Sequence, residues 1–213
     1  MCGIAGYIGD YNPKKTLNNM ISSLNHRGPD DSGLWYDNKI GLAHTRLSIL
    51  DTSQSGHQPM ISASGRYVIV FNGEIYNHLC LRDELDKESK NNWRGTSDTE
   101  TLLKCFEEWG TEKTLKKIMG MYAFGIYDRK LEKIILVRDR IGEKPLYYGW
   151  VEGNFVFASE LKSFKILGNF SNEINKNSVS LFLRFNSIPA PHTIYKDIFK
   201  VEPGYYLEIS INT

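Results

Sequence analysis

The sequence predicts an α+β domain in which antiparallel strands and helices are interspersed. Apolar or alternating runs typical of strands are numerous, whereas segments with helical periodicity are few. The two kinds of segment do not alternate regularly, and a doubly wound parallel sheet would require that alternation. We therefore expect a layered sandwich. Strands are predicted at 3–8, 40–45, 66–72, 121–128, 133–138, 145–150 and 154–158.

The first helix is predicted to begin after Asn12. Asparagine is a favoured N-cap, and the proline that follows it is pre-organised for the first helical position. Apolar residues then recur with a 3.6-residue period, which predicts that one face of the helix is buried. They are Leu17, Met20, Ile21 and Leu24.

Three further helices are predicted downstream. Asn77 is expected to cap one of them, which carries Leu81 and Leu85. Ser97 and Glu100 have the spacing of a capping box, so a longer helix should begin there. Gly110 is expected to end that helix, because glycine is common just past a helix C-terminus. A short helix is predicted near 160–165.

Turn-forming residues divide the second half of the chain. Asp-Arg-Lys at 128–130 predicts one hairpin, and Glu-Gly-Asn at 152–154 predicts another. Residues 169–200 are richer in Asn, Ser and Pro, and the sequence IPAPH at 188–192 is typical of an extended linker. A strand-like run begins at Tyr205. No closing element follows it, which predicts a fragment of a longer protein.

The composition excludes several classes of protein. With 26 basic and 25 acidic side chains the net charge is +1, so neither a nucleic-acid nor a membrane partner is indicated. No apolar run approaches the ~18 residues of a membrane span, and the N-terminus lacks the pattern of a secretory signal. Three widely spaced cysteines argue against a disulfide framework. Without a CxxC or HxxxH pair no metal site is predicted, and the chain is expected to be cytoplasmic.

Cys2 is the first candidate for catalysis. Met1 precedes a small residue, which permits its removal, and Cys2 would then carry a thiol and a free α-amine. Because an α-amine has a pKa of ~7.7–8.0, it can accept the thiol proton without a histidine. A free cysteine is more often a small buried apolar residue, which is our interpretation of Cys80 and Cys105. The terminal position of Cys2, beside Gly3, favours the catalytic interpretation.

Ordered sequence blocks carry a family resemblance. They read MCGIAGYIG at the start, NHRGPDDSG (25–33), LAHTRLSILD (42–51), QP (58–59), FNGEIYN (71–77), TSDTE (96–100), GMYAFGIYD (120–128) and VRDRIGEKPLYYG (137–149). Together they resemble the glutaminase domain of class II glutamine amidotransferases. Within that group they are most similar to glutamine-hydrolysing asparagine synthetases, and the stretch from 188 to 209 resembles the connector between the two domains of those proteins.

The resemblance implies a fold and a division of the chain. The fold is that of N-terminal-nucleophile hydrolases, a four-layer αββα sandwich of two antiparallel sheets between helices. The core of the glutaminase domain is expected over 1–168. Residues 169–213 are expected to form the remainder of that domain and a connector toward a C-terminal synthetase domain.

The resemblance also implies a reaction. Cys2 matches the nucleophile that attacks the carboxamide carbon of L-glutamine, releases ammonia and leaves a γ-glutamyl thioester for hydrolysis. Asn72 and Gly73 match the oxyanion hole, where a side-chain and a backbone N–H can stabilise the developing negative charge. The alternative is an Asn-Gly hairpin turn. Because no clear return strand follows the pair, we favour the functional interpretation.

Five further residues match the glutamine-binding positions. Arg46 matches the group that binds the substrate α-carboxylate, and Asp98 matches the partner of the α-ammonium, with Glu74 assisting. Ile49 and Leu50 match positions that line the pocket. The alternatives are a solvated charge for Arg46, a helix-dipole role for Asp98, and core packing for Ile49 and Leu50.

Other residues near these blocks are given supporting roles or none. The loop from Arg27 to Asp30 matches a family signature, and we interpret it as structural support for the nucleophile. His26, His44 and His57 are not expected to act as the general base, because the α-amine already fills that role.

The sequence contains neither a Ser-Gly-Gly-x-Asp-Ser pyrophosphate loop nor a Walker-type loop. We therefore expect these 213 residues to hydrolyse glutamine without a cofactor, and we expect ATP and Mg²⁺ to bind in the synthetase domain. Aspartate is the default acceptor of the ammonia. A cell-surface sugar or peptide is an alternative acceptor.

Two other kinds of function are kept open. If Met1 is retained, the chain would be a non-catalytic glutamine-binding or regulatory module. A hydrolase that acts on another amide is the second. The expected partners are L-glutamine and the synthetase domain of the same chain, and a homodimer is compatible with the sequence.

Overall fold

The computed structural model describes residues 1–88, 91–168 and 170–211. Within these residues, two antiparallel sheets and five α-helices are present. The strands are β1 (Gly3–Ile8), β2 (Asp31–Asp37), β3 (Ile40–Arg46), β4 (Met60–Ile61), β5 (Tyr67–Ile75), β6 (Gly120–Asp128), β7 (Lys133–Arg138), β8 (Tyr147–Val151), β9 (Asn154–Ala158), β10 (Ile198–Lys200) and β11 (Tyr206–Ser210). The helices are α1 (Pro13–Leu24), α2 (His78–Glu88), α3 (Asp98–Lys117), α4 (Lys162–Lys165) and α5 (Lys176–Phe185).

The two sheets face each other across a central apolar core. The first sheet has the strand order β10-β8-β9-β1-β3-β2, and the second has the order β11-β7-β6-β5-β4. Ile4, Leu42 and Phe157 of the first sheet share one buried cluster with Val70 and Leu136 of the second. Burial of apolar surface on this scale is the main favourable contribution to folding.

Helices cover the outer face of each sheet. Leu17 of α1 and Phe164 of α4 are buried with residues of the first sheet. Leu85 of α2 and Phe106 of α3 are buried with residues of the second sheet. The order of layers is therefore helices, sheet, sheet, helices. This confirms the α+β class and the four-layer αββα arrangement.

All seven strands predicted at the start are present, and the strand predicted from Tyr205 is β11. Three strands that are short or largely accessible to solvent were not predicted. The edge strand β2 buries only Gly33 among its seven residues, so it lacks the clear apolar alternation of a half-buried strand. Strands β4 and β10 have two and three residues, too few to show a period. Of the three, only β10 pairs with a strand distant in sequence, β8, whereas β2 and β4 pair with the strands that follow them along the chain, β3 and β5.

Both predicted hairpins are present. The turn after β6 leads into β7, and Val151 pairs with Asn154 across a two-residue turn between β8 and β9. In that second turn Glu152 and Gly153 both have positive φ, at 51° and 77°. Positive φ at both central residues matches the right-handed twist of the strands, which explains why glycine is needed there.

The helix starts are largely as predicted. The Asn12 side chain accepts a hydrogen bond from Lys15 N (3.1 Å), and the Ser97 hydroxyl accepts one from Glu100 N (3.2 Å). As predicted, Gly110 ends the first helical stretch of α3: it leaves the helical conformation, with φ 71° and ψ −176°. A second helical stretch, which was not predicted, follows it and continues to Lys117. Burial of Thr114 against the body of the domain fixes that second stretch.

Asn77 directly precedes α2, as predicted, and its backbone carbonyl accepts from Leu81 N (3.1 Å), but its side chain bonds to another helix end. Its amide donates to Lys117 O (3.0 Å) and its carbonyl accepts from Met119 N (2.9 Å). The side chain thus joins the start of α2 to the end of α3. The predicted short helix near 160–165 is present as α4.

Helix α5 was not predicted, because its surroundings are rich in Asn and Ser. A local signal exists: the Asn175 side chain accepts hydrogen bonds from Asn177 N and Ser178 N, as an N-cap does. Of the predicted connector, 169, 212 and 213 lie outside the described residues. Strands β10 and β11 in this segment extend one edge of each sheet. No described helix is long and apolar enough to span a membrane.

Candidate active site

One pocket is lined by all the residues that the sequence analysis assigned to the site. It lies between the start of β1, the end of β3, the C-terminal half of β5 and the start of α3. Antiparallel pairing of Gly3 with Thr45 places the beginning of β1 beside the end of β3. The predicted residues that line the pocket are Cys2, Arg46, Ile49, Leu50, Asn72, Gly73, Glu74 and Asp98.

The Cys2 thiol is partly buried and held by one backbone segment. Its Sγ accepts from Leu47 N (3.4 Å) and lies 3.6 Å from Leu47 O. Burial raises the pKa of the Cys2 thiol, while the Leu47 N–H and the N-terminal and Arg46 charges oppose that rise. A thiol with a raised pKa is mostly protonated at neutral pH, so it needs a base before it can attack.

The loop that begins at Arg27 holds the nucleophile in place. Arg27 Nε donates to Cys2 O (2.9 Å), and its Nη1 is paired with Glu160 (2.9 Å). A Cβ at Gly28 would lie 2.5 Å from the backbone of Arg46, so only glycine lets the loop approach β3 this closely. The geometry supports the structural interpretation of this loop.

Asn72 and Gly73 lie inside β5, not in a hairpin turn. They pair with Ala123 and Tyr122 of β6. The hairpin alternative is therefore wrong, because the sequence continues as a strand for two more residues. A Cβ at Gly73 would lie 2.6 Å from Tyr122 Cα, which explains the glycine.

Three N–H groups of β5 point toward the pocket. Phe71 N donates to Gln58 Oε1 (2.7 Å), and Ile75 N donates to Asp98 Oδ2 (2.9 Å). Gly73 lies between them and, since Cβ and N–H directions alternate along a strand, its N–H points the same way. Tyr122, opposite Gly73, bonds through both backbone groups to Asp139 on its other side. No described residue accepts from Gly73 N–H.

The Asn72 side chain offers a second free donor. Its Nδ2 is buried and has no hydrogen-bond partner among the described residues. A buried donor without a partner costs free energy, roughly 1–3 kcal/mol, and is rare in folded proteins. Two free donors on adjacent residues suit an oxygen that gains negative charge in the pocket.

The pocket also holds a buried cation and a buried carboxylate. Arg46 is 7% exposed, and its guanidinium donates to the carbonyls of Asp51 and Ser53. Asp98 is 5% exposed and accepts from Ile75 N. Within the described part of the chain, neither side chain forms an ion pair. Buried charges are normally paired, so each is suited to an opposite charge on a ligand.

The pKa of Asp98 is unusual for a carboxyl group. Burial raises it to about 6, and the Glu74 charge adds to the rise, while hydrogen bonds from Ile75 and Thr99 N–H oppose it. The pKa of Asp98 in the folded protein lies above its ordinary value of 3.8, so protonation of this carboxyl stabilises the folded state. That stabilisation is fully present below pH 3.8. It is lost as the pH rises through about 6. The ionised carboxylate at neutral pH therefore costs folding free energy.

This pKa predicts pH-dependent binding of an amino acid. If Asp98 must be ionised to bind an α-ammonium, we expect the Kd for glutamine to rise about tenfold per pH unit below pH 6, the pKa that burial gives Asp98. Calorimetry on a Cys2→Ala variant measures binding without turnover. Asp98→Asn serves as the matched control and should bind weakly at every pH. A Kd that stays constant from pH 5 to 7 contradicts the prediction.

Ile49 and Leu50 lie on the loop after β3. They are 64% and 43% exposed, so the alternative of core packing is wrong for both. Glu74 lies on β5 opposite Met121, and its charge acts on Asp98. The position of Glu74 thus adds negative potential at the Asp98 end of the pocket.

Histidine does not contribute to this pocket. All five histidines of the sequence lie among the described residues, and none of them lines it. Burial lowers the pKa of His44 to about 3, so it is neutral, and its Nε2 lies 3.1 Å from Phe71 O. His26 is next to Glu160 and His57 is next to Asp31. Among the described residues, no group of three or more His, Cys, Asp or Glu is placed to hold a metal.

Several pocket residues were not assigned by the sequence analysis. Asp51 ties the loop after β3 to the start of α3, since it accepts from Ser53 N (2.9 Å) and Thr96 N (2.9 Å). Gln58 bridges Phe71 N and the Thr99 hydroxyl. Their only sequence signal was membership in the matched blocks. The others are Met1, Leu47, Gly56, Phe71, Ser97, Thr99, Met121 and Lys144.

Asp139 organises the loop that leads to the pocket. Its buried carboxylate accepts hydrogen bonds from five backbone N–H groups, at 2.6–3.3 Å. The donors are Tyr122, Ile141, Gly142, Glu143 and Lys144. These bonds hold the pKa of Asp139 below its usual value, against the opposing effect of burial.

Removing this carboxylate is expected to destabilise the domain. We predict that Asp139→Ala lowers the free energy of unfolding by about 3 kcal/mol, because several N–H groups lose a charged acceptor. Urea denaturation measures the loss. The exposed Asp10→Ala is the matched control and should change stability by less than about 0.5 kcal/mol. Equal stabilities of the two variants would show that the five bonds contribute little.

Comparisons with known proteins agree with this geometry. A family model described as a glutamine amidotransferase domain matches residues 1–213. A putative asparagine synthetase [glutamine-hydrolyzing] 2 of Methanocaldococcus jannaschii is 41% identical over 95% of this chain and 42% of its own length. Asparagine synthetase [glutamine-hydrolyzing] 1 of Bacillus subtilis is 36% identical over 96% of this chain and 33% of its own. The chain thus spans less than half the length of these relatives.

A solved structure shows the same fold. Glutamine phosphoribosylpyrophosphate amidotransferase from B. subtilis, complexed with ADP and GMP, superposes with a TM-score of 0.75. The match covers 98% of this chain and 47% of that protein, at 22% sequence identity. At that identity the likeness concerns the fold.

Proposed function

This chain belongs to the family of glutamine amidotransferase domains, and from that premise we propose that it hydrolyses the side-chain amide of L-glutamine to glutamate and ammonia. One observation carries the proposal. The pocket that holds the Cys2 thiol also holds Arg46 without a carboxylate partner and Asp98 without a cationic partner, in the described part of the chain. A free amino acid carries the two opposite charges that would complete both pairs.

The substrate is bound by its α-groups in this proposal. Arg46 has five N–H donors, of which two bond to backbone carbonyls, so donors remain for the α-carboxylate. Asp98, with the negative potential of Glu74, accepts from the α-ammonium. The γ-carboxamide then extends toward Cys2, with Ile49 and Leu50 lining the pocket. An amino acid with a shorter side chain would hold its amide farther from the thiol.

The reaction begins with attack of the Cys2 thiol on the amide carbon. Its proton moves to the α-amine that removal of Met1 exposes. The carbonyl oxygen takes the electron pair and accepts from Asn72 Nδ2 and Gly73 N–H. Re-forming the C=O bond breaks the C–N bond, and the α-ammonium returns its proton to the leaving nitrogen, which departs as ammonia. Water then attacks the γ-glutamyl thioester, and glutamate and the free thiol are regenerated.

Product analysis tests the proposal directly. The protein should release glutamate and ammonia from glutamine in a 1:1 ratio, and asparagine should be a poor substrate because its amide is one methylene closer to the α-groups. Mass spectrometry of the intact chain should show that Met1 is removed. A retained Met1 with glutamine binding but no turnover would support the alternative of a non-catalytic binding module. Comparable rates with asparagine would support a broader amidase.

The Arg46 contact is tested by substrate affinity. We expect Arg46→Ala to raise the KM for glutamine about 100-fold, since hydrogen bonds to charged groups contribute roughly 1.5–3 kcal/mol. Arg46→Lys should recover part of the affinity, because it keeps the charge but loses the planar fork. The exposed Arg129→Ala is the control. A KM for Arg46→Ala within threefold of the wild type would show that Arg46 does not bind the substrate.

The longer relatives support a role within a larger protein. We propose that this domain supplies ammonia to an ATP- and Mg²⁺-dependent synthetase domain of the same chain, as in a glutamine-hydrolysing asparagine synthetase. Aspartate is the acceptor we favour, and a sugar or peptide acceptor is the alternative. The acceptor would be chosen by the other domain, so product analysis on the longer protein decides between them.

Helix α5 offers a surface for such a domain. Of its ten residues only Ser178 is buried, whereas Phe182, Leu183 and Phe185 are exposed, Leu183 by 76%. Exposed apolar clusters commonly mark interfaces. A homodimer through the same face is the alternative, and analytical ultracentrifugation of this chain separates the two. Because the three cysteines are free, we also propose a reducing, cytoplasmic location.

A further inference from the structure

Lys144 is a second buried cation of the pocket, and neither the sequence analysis nor the proposed mechanism gives it a role. It is 7% exposed and lines the same pocket as Cys2. Among the described residues no carboxylate lies within ion-pair distance of its Nζ. Among the described residues, the hydrogen-bond contact of that nitrogen is with Met1 Sδ, at 3.5 Å. A buried lysine without a counter-charge is rare, because desolvation of the ammonium is costly.

The backbone holds Lys144 in this position. Its N–H donates to Asp139 Oδ2 (3.0 Å), and its carbonyl accepts from Arg138 Nε (2.8 Å). Arg138 also bonds to Gly142 O and Val201 O, so both sides of the residue are anchored. The ammonium is therefore directed at the N-terminus by the fold and is not a solvated side chain that happens to lie nearby.

The other charges around the N-terminus are engaged elsewhere. Arg27 bonds to Cys2 O but is paired with Glu160. Asp51 accepts from Ser53 and Thr96, and its pKa is lowered to about 2 mainly by the Ser53 hydroxyl. The Asp139 carboxylate is surrounded by five N–H groups. Lys144 therefore contributes a positive charge at this end of the pocket, and no carboxylate of the described residues lies within ion-pair distance of it.

The remaining charged groups of the pocket belong to the substrate contacts. Arg46 is held by two carbonyls, and Asp98 and Glu74 form the negative end. In the proposed complex, the α-groups of glutamine neutralise Arg46 and Asp98. Lys144 then stays as a cation in contact with the side chain of Met1, the residue that precedes Cys2 in sequence.

We propose that Lys144 keeps the α-amine of the N-terminal Cys2 unprotonated at neutral pH, as a positioning residue for the base. The proposal rests on the function proposed above. Met1 is bonded to the nitrogen of Cys2, so its removal exposes that amine and also empties the space beside Nζ that the Met1 side chain fills. An α-amine has an ordinary pKa of ~7.7–8.0, and at pH 7 most of it would be protonated. A nearby cation in a poorly hydrated pocket disfavours a second positive charge and frees the amine to act.

The pH dependence of turnover tests this role. In Lys144→Met, which removes the charge and keeps an unbranched side chain one atom shorter, the acidic limb of kcat against pH should move up by about one pH unit. Turnover at pH 7 should fall about five- to tenfold and approach the wild type near pH 9, with the KM for glutamine unchanged. Lys144→Arg should restore the wild-type profile. The exposed Lys14→Met is the matched control and should leave the profile unchanged.

A second measurement does not depend on turnover. Competitive trace acetylation of the N-terminal amine with acetic anhydride, at a series of pH values, reports its protonation in each variant after mass spectrometry has shown that Met1 is absent. The labelling midpoint should be about one pH unit higher in Lys144→Met than in the wild type. If Lys144→Met folds poorly, Lys144→Gln serves in its place.

The outcomes are distinct. An unmoved labelling midpoint overturns the inference, and so does a turnover that falls by the same factor at every pH, which would indicate a structural role. Retention of Met1 in an active wild type overturns it as well. Failure of the proposed function looks different: the wild type would release no more ammonia than Cys2→Ala, while the labelling midpoints would still be measurable.

Discussion

Replacing Cys2 with alanine is expected to lower ammonia release from glutamine by at least about 10⁴-fold. No other described residue that lines the pocket can form the thioester, because Cys2 is the one cysteine among them and a thioester requires a thiol. Loss of the nucleophile in acyl-transfer enzymes leaves only the residual effect of substrate binding and oxyanion stabilisation. The assay is ammonia production measured by a coupled spectrophotometric method.

Binding separates this loss from a folding defect. Glutamine should bind Cys2→Ala with a Kd within about threefold of the wild-type value, because Arg46 and Asp98 supply the ionic contacts. Cys80→Ala is the matched control, since Cys80 is an exposed cysteine outside the pocket. Its rate should equal that of the wild type. If Cys2→Ala and the wild type release ammonia equally fast, the central proposal is wrong.

Replacing Asn72 with alanine is expected to lower kcat by about 10²–10³-fold while KM changes little. Loss of one oxyanion donor costs that much in other acyl-transfer enzymes, and the donor acts mainly on the transition state. The structure adds a second expectation. Since Asn72 Nδ2 is buried without a partner among the described residues, its removal relieves an unsatisfied donor. The stability lost on truncation should therefore be small.

Measuring both the turnover and the stability of Asn72→Ala distinguishes a catalytic role of Asn72 from a structural one. A core truncation normally lowers both, whereas Asn72→Ala should lower turnover and leave the urea midpoint nearly unchanged. The exposed Asn19→Ala on α1 is the control and should change neither quantity. A loss of more than about 3 kcal/mol with full specific activity would show that Asn72 serves the core and not the reaction.

The local parts of the fold could be predicted from the sequence because their causes are local. Asn12 and Ser97 accept hydrogen bonds from residues three positions ahead, and the Glu152-Gly153 turn needs only its own dihedral angles. The strands with strong apolar alternation were predicted for the same reason. By contrast, the three-residue strand β10 forms through pairing with β8, which is distant in sequence, and a local pattern does not reveal that pairing.

The candidate site divides in the same way. Its residues were identified through a family resemblance, not through periodicity. The sequence could not decide between a hairpin and an oxyanion hole at Asn72 and Gly73, or between core packing and pocket lining at Ile49 and Leu50. Pairing with β6 excludes the hairpin, and exposure to solvent excludes core packing. Strand pairing and solvent exposure both depend on how a segment packs against residues that are distant in sequence.

By itself, the sequence determined the α+β class, the main strands and hairpins, and the thiol at position 2. Only the tertiary structure decided that Arg46, Asp98 and Lys144 are buried without opposite charges among the described residues. The physical reason is that the burial and pairing of a charge are set by all of its neighbours in space. Lys144 and Met1 are 143 positions apart along the chain, and only folding brings them into contact.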